Sequence, residues 1–180
     1  MRLARAPVAY NAAGARMSLL ERYDRLLDRL PAELEAEYGD RLVAVAVFGS
    51  VGRGTPRHDS DVDLLIVARD LPDGRFARVE EFLPVEARVG PLLADIDPTG
   101  APVSLSPIFK TPAEAEAGSP LFIDMVEDAR ILHDPEGFLA ARFDRLRARL
   151  RELGARRIWL GNAWYWELKP DLRPGEVFSL

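Results

Sequence analysis

The residues best equipped for chemistry fall in one segment, Phe48-Gly49-Ser50-Val51-Gly52-Arg53-Gly54-Thr55-Pro56-Arg57-His58-Asp59-Ser60-Asp61-Val62-Asp63. Asp61 and Asp63 are separated by one residue and lead into an apolar run. Residues i and i+2 of a strand project from the same face, so two carboxylates stand side by side there. Adjacent anions repel, and one takes up a proton unless a cation compensates. Mg²⁺ is the natural compensator, because it binds one or two carboxylates and completes its shell with water and substrate phosphate. Mn²⁺ accepts the same oxygen donors. Gly49, Gly52 and Gly54 allow backbone N–H groups to approach an anion, Ser50 adds a hydroxyl, and Arg53 and Arg57 can neutralise phosphate oxygens. Such a combination is the equipment for phosphoryl or nucleotidyl transfer. Taken alone, D-x-D is common solvated charge and Gly-Ser after a strand is an ordinary turn; only their combination is rare. The segment is not a P-loop, since no Gly-Lys-Ser/Thr is present.

These residues need rigid elements to hold them. Residues 41–48 (RLVAVAVF) and 61–69 (DVDLLIVAR) read as two buried strands flanking the loop. A third strand is expected over 102–109, with Val103 and Leu105 on one face and Ser104 and Ser106 on the other; Pro107 favours a strand end or an edge. Residues 18–38 have helical periodicity, with Ser18 and Glu21 as a capping box and Pro31 expected to break or kink the pattern. A helix over 75–96 turns Phe76, Val79, Phe82, Leu83 and Val85 inward. Thr111-Pro112 opens a short helix with Glu114 as its capping-box acid, and 120–132 reads as another, with Asp124 and Asp128 one turn apart on a solvated face. Asp134-Pro135 opens a helix over 136–153 with a Leu139–Leu153 seam and a basic side. The end is aromatic: Trp159, Trp164, Tyr165, Trp166 and Phe178. The expected fold is α/β (α+β): a small mixed sheet, helices packed on one face, and a helical C-terminal region.

Composition sets the boundaries. The chain has 180 residues and a net charge of −5, so a nucleic-acid partner is not expected. Without Cys there are no disulfides, thiolate sites or Cys nucleophiles, and His58 and His133 are too few for a His-rich zinc site. No apolar run approaches the ~20 residues of a membrane helix, and a cytoplasmic protein is expected. The first sixteen residues carry Arg2, Arg5 and Arg16 without the apolar stretch of a signal peptide. Residues 1–17 therefore read as a flexible extension, 18–133 as the domain bearing the site, and 134–180 as a C-terminal helix and aromatic tail packed on it.

Gly49-Ser50, ten residues, then Asp61-Val62-Asp63 resembles the signature of the DNA polymerase β-like nucleotidyltransferase superfamily. The string GSVGRGTPRHDSDVDLLIV is similar to its small prokaryotic branch, the minimal nucleotidyltransferases of antitoxin type. The resemblance implies that Gly49 and Ser50 bind a nucleoside triphosphate, that Asp61 and Asp63 hold Mg²⁺ as the catalytic carboxylates, and that Arg53 and Ser60 are secondary phosphate contacts. It also implies a third carboxylate on the next core strand. Here that strand shows Ser104 and Ser106, and a neutral hydroxyl cannot supply a carboxylate's charge. Three explanations stay open: a different strand placement with Asp95 or Asp97 as the acid, an acid from elsewhere such as Asp124, Glu127 or Asp128, or no third acid.

The leading expectation is a Mg²⁺-dependent nucleotidyltransferase moving NMP, AMP from ATP first, to a hydroxyl. Its most specific form is a protein adenylyltransferase antitoxin acting on a small helical toxin-like partner. The alternatives are a catalytically weak NTP-binding or partner-binding module, and an antibiotic-type small-molecule nucleotidyltransferase. The Leu139–Leu153 seam leaves open a homo-oligomer contact.

Overall fold

The structure is a computed structural model describing residues 17–97, 103–161 and 163–180; the expected extension over residues 1–17 lies outside them but for Met17. Helix α1 runs Leu19–Tyr38. Its capping box forms: the Glu21 N–H donates to Ser18 Oγ at 3.2 Å and the Ser18 N–H donates to Glu21 Oε2 at 2.6 Å. Pro31 does not divide the helix. An interior proline removes one backbone donor, but Leu26, Leu27, Leu30 and Leu34 are completely buried on either side of it, and their packing holds the helix together.

Strands β1 (Leu42–Phe48), β2 (Val62–Ala68), β3 (Leu105–Lys110) and β4 (Arg130–His133) form a sheet in the order β3-β2-β1-β4. The β1–β2 and β1–β4 pairs are antiparallel and β2–β3 is parallel, so the sheet is mixed. The α+β class therefore stands, but the helices occupy both faces rather than one. Helix α3 (Arg75–Ile96) packs with α1 on the face of Val45, Val47, Val62, Leu64 and Ile66. Val43, Ala46, Phe48, Leu65 and Val67 face a second apolar layer. That layer is built by α4 (Pro112–Ala117), α5 (Leu121–Asp128) and α6 (Phe138–Glu152), while short helix α2 (Gly49–Gly52), at the loop, buries its Val51 in the first layer. The reason lies in β1 and β2, which are apolar at nearly every position; strands without a polar face must be covered twice.

Three expectations change at element level. Of the expected inner side of α3, Phe82 and Val85 are buried and Val79 is partly so, but Phe76 is 90% exposed and Leu83 51% exposed, and Val89 and Leu93 complete the face. The pattern over 120–132 is not one helix: α5 ends at Asp128 and β4 pairs with the open edge of β1, whose buried backbone groups need partners. The C-terminal region is not purely helical. After α6, strands β5 (Arg156–Leu160) and β6 (Ala163–Glu167) form an antiparallel hairpin, which suits their aromatic residues. The seam of α6, Leu139, Phe143, Leu146 and Leu150, is buried within the chain. Among the described residues no helix is long and apolar enough to cross a membrane.

Candidate active site

The two strands meet so that Phe48, the last residue of β1, lies opposite Asp63 near the start of β2. The chain then turns at Gly49, whose φ of 67° is in the left-handed region. A Cβ on Gly49 would run into the Asp63 carboxylate, so only glycine lets the loop rest there. Gly52 is equally constrained, since its Cβ would sit 2.8 Å from the Val47 carbonyl and 2.7 Å from the Asp128 carbonyl. The loop closes on itself: Arg53 N–H donates to Gly49 O at 3.1 Å and Thr55 N–H to Ser50 O at 2.9 Å. Beyond it, Ser60 Oγ accepts from the Arg57 N–H at 2.9 Å, closing a turn. Buried Tyr23 of α1 anchors that turn, its hydroxyl lying 2.7 Å from Ser60 O and 3.1 Å from Arg57 O. Burial, and then the negative charges of Asp59, Asp61 and Asp97, push the Tyr23 phenol up to about 12.

The two aspartates have different surroundings. Asp61 is exposed and just precedes β2; its Oδ1 accepts from Ser104 Oγ at 2.8 Å. Asp63 is half-buried and lies in register with Ser106 on β3. No hydrogen bond reaches its carboxylate among the described residues. Burial raises its pKa and the charge of Asp61 raises it further, while Arg53 opposes both. A half-buried carboxylate without a donor, beside a second carboxylate, is a donor set suited to a hard divalent cation bound by two protein oxygens.

Strand β3 overlaps the expected 102–109 but runs Leu105–Lys110; Ser106 on it lies in register with Asp63, and Ser104, just before it, bonds Asp61. None of the candidate third acids joins them: among the described residues there is no group of three His, Asp or Glu able to hold one ion. Asp95 and Asp97 sit at the end of α3. Asp124 accepts from the indole N–H groups of Trp164 (2.9 Å) and Trp166 (2.8 Å). Asp128 accepts from Arg53 Nη1 and Arg157 Nη1, each at 3.0 Å, and Glu127 is exposed. The expectation of a solvated Asp124/Asp128 face is thus replaced by a paired one.

Among the other loop residues, Arg57 and Asp59 form a 3.7 Å pair with both side chains over 80% exposed, and His58 is exposed. His133 Nδ1 is 3.0 Å from Glu35 Oε1, away from the loop. The basic side of α6 is an ion-paired face: Arg145 meets Glu116, Arg147 meets Asp144, and Arg149 meets Glu152. Tyr23 escapes the sequence reading because it looks like one more apolar residue of the α1 stripe. Asp128 is among the candidate third acids, but nothing local marks Arg53 and Arg157 as its partners.

A glycine-lined turn against a two-carboxylate strand mouth, on a mixed four-stranded sheet, defines the polymerase β-like nucleotidyltransferase class. The nucleotidyltransferase domain family matches residues 27–133, and the chain belongs to that family. Among its relatives is the protein named "Putative protein adenylyltransferase MJ1305" of Methanocaldococcus jannaschii, 27% identical over 132 residues, which span 72% of this chain and 84% of that one. Protein adenylyltransferase MntA of Thermococcus cleftensis is 37% identical over 75 residues, 41% of this chain and 72% of that one. Solved structures of similar outline include a toxin–antitoxin with AMP-PNP (TM-score 0.44, 17% identity, covering 71% of this chain and 92% of that one). Another is the MNT antitoxin complex of a tri-AMPylated HEPN toxin from Shewanella oneidensis (TM-score 0.42, 14% identity, covering 73% and 92%).

Proposed function

We propose that this chain is a protein adenylyltransferase of antitoxin type, moving AMP from ATP to a hydroxyl of a small helical protein partner. The observation that carries the reading is the Asp63 carboxylate, which no hydrogen bond reaches among the described residues, pressed against Gly49 and flanked by Asp61. The protein adenylyltransferase names of the two relatives supply the acceptor class.

In this reading Asp61 and Asp63 hold Mg²⁺, which when bound neutralises charge on the phosphates. Gly49 and Ser50 lie against the triphosphate, and Arg53 places a guanidinium by its oxygens. Ser60 acts through the Arg57–Ser60 turn that delivers Asp61 to the site. The acceptor oxygen attacks the α-phosphorus, the bond to the β-phosphate oxygen breaks, and pyrophosphate leaves with that electron pair. The acceptor proton passes to solvent or to a carboxylate of the pair. Incubation with ATP labelled at the α-phosphate and Mg²⁺, with the product of the adjacent gene, is expected to label that partner. Label that stays on ATP for every partner supplied counts against the reading.

A second reading is favoured by β3 and the residue before it, where Ser106 and Ser104 stand beside the aspartates in the place of an implied third carboxylate. On that account the chain binds Mg²⁺ and nucleotide but transfers slowly. Tight ATP binding with transfer slower by orders of magnitude, restored in part by Ser106→Asp, is its signature.

A further inference from the structure

The two arginines of the loop are held very differently. The Arg57 side chain is 85% exposed and pairs with Asp59, whose side chain is 82% exposed. Arg53 has a side chain 28% exposed, bonded through Nη1 to Asp128 at 3.0 Å, with its guanidinium carbon 4.9 Å from the centre of the Trp164 ring. Asp128 is itself buried and is shared with Arg157, also at 3.0 Å. Arg157 lies 5.0 Å from the same Trp164 ring and 5.4 Å from Trp166. Both indole N–H groups are in turn fixed on Asp124. Register explains the convergence: Arg157 pairs with Trp166 and Trp159 with Trp164, so these four share one face of the hairpin. That hairpin lies beyond residue 133, where the family match ends.

The charges give this arrangement a consequence. Asp128 alone would cancel Arg53, but Arg157 restores one net positive charge to the trio. An arginine has five N–H donors, and the ion pair takes one from Arg53. Gly52 packs directly on the Asp128 carbonyl, so the loop and the end of α5 are fixed together. We infer that the C-terminal hairpin is a positioning element of the nucleotide site: Trp164 and Arg157, acting through Asp128, hold Arg53 in the pose that meets the triphosphate. This rests on the reading of Arg53 as a phosphate contact. Trp164 and Arg157 are positioning residues, because they touch Arg53 and Asp128 rather than the reacting atoms. A guanidinium already held in place loses less freedom when the anion arrives, and affinity rises accordingly.

A double-mutant cycle on the full chain tests it, reading the dissociation constant of ATP with Mg²⁺ by titration calorimetry. Trp164→Leu is expected to weaken binding about fivefold in the native background, the size of a partly desolvated cation–π contact. In an Arg53→Ala background it is expected to change affinity by less than about twofold, because the residue it acts through is gone. Trp164→Phe, which keeps a ring over Arg53 but drops the bond to Asp124, is expected to restore most of the affinity. Tyr165→Ala, on the other face of the hairpin, is expected to leave it unchanged. Equal losses from Trp164→Leu in both backgrounds, or no loss in folded protein, overturn the inference. Should Trp164→Leu fail to fold, Asp128→Asn runs through the same cycle with the same two outcomes. If Arg53→Ala itself leaves affinity intact, the phosphate-contact reading fails, and the inference with it. If Arg53→Ala weakens binding and the cycle is additive, the inference alone fails.

Discussion

Two pairs of aspartates divide this protein's electrostatics between them. Asp61 and Asp63 stand two residues apart at the mouth of β2; Asp124 and Asp128 stand one turn apart on α5. Asp124 and Asp128 take two indole N–H groups and two guanidinium groups, all from the chain itself. Asp61 takes a serine hydroxyl, and no hydrogen bond reaches Asp63 among the described residues. Charges fully answered by the protein fix its shape. Charges left for something else to answer mark where a ligand belongs.

The contrast can be broken by mutation. Asp128→Ala is expected to cost the most stability, about 3–5 kcal/mol, because it leaves two arginines facing each other in a mostly buried place. Chemical denaturation measures it; a loss under about 1 kcal/mol would show the trio to be ornamental. Asp61→Asn with Asp63→Asn reverses the pattern. Mg²⁺-dependent ATP binding is expected to fall about a hundredfold or more, the scale of a lost metal site, with thermal stability retained. Binding within a factor of about two of the native value would reject the site.

Tyr23→Phe tests the link from α1 to the loop. It strips the donor from the Ser60 and Arg57 carbonyls and is expected to cost about 1–3 kcal/mol by denaturant titration. Smaller still is a pH effect at Asp63. Its raised pKa means that the native state keeps that proton to higher pH than the unfolded chain does. Its contribution to stability is therefore full below about pH 4 and is lost as pH rises through the folded value. Asp63→Asn is expected to flatten that decline and to raise the melting temperature at neutral pH without Mg²⁺. A fall in melting temperature would contradict the cause assigned to the shift. Asp144→Asn, which breaks an exposed i,i+3 pair with Arg147 on α6 and leaves the Arg147 bond to the Val126 carbonyl in place, is expected to change stability by less than about 0.5 kcal/mol.

Much of the core site could be read before folding. The strand–turn–strand sequence around Gly49 and the i,i+2 spacing of Asp61 and Asp63 are local, and local geometry decides them. The same holds for the capping boxes at Ser18 and Thr111, both of which form. What escaped was set by long-range demand. β4 was hidden in a helical pattern because its reason to exist is the bare edge of β1. The hairpin is hidden in an aromatic tail because two of its tryptophans settle on one acid, Asp124, about 40 residues earlier in the chain. The placement of helices on both faces follows from β1 and β2 being apolar at nearly every position, a clue present in the sequence.

By itself, then, the sequence determined which two carboxylates would stand together and why a glycine must face them, since a strand's two-residue period needs no partner to act. Only the tertiary structure decided that Asp124 and Asp128 would be claimed by indoles and guanidinium groups while Asp63 was left unclaimed. Whether a charge finds a counter-charge depends on what the rest of the chain brings within about 3 Å of it, and no spacing along the sequence contains that distance.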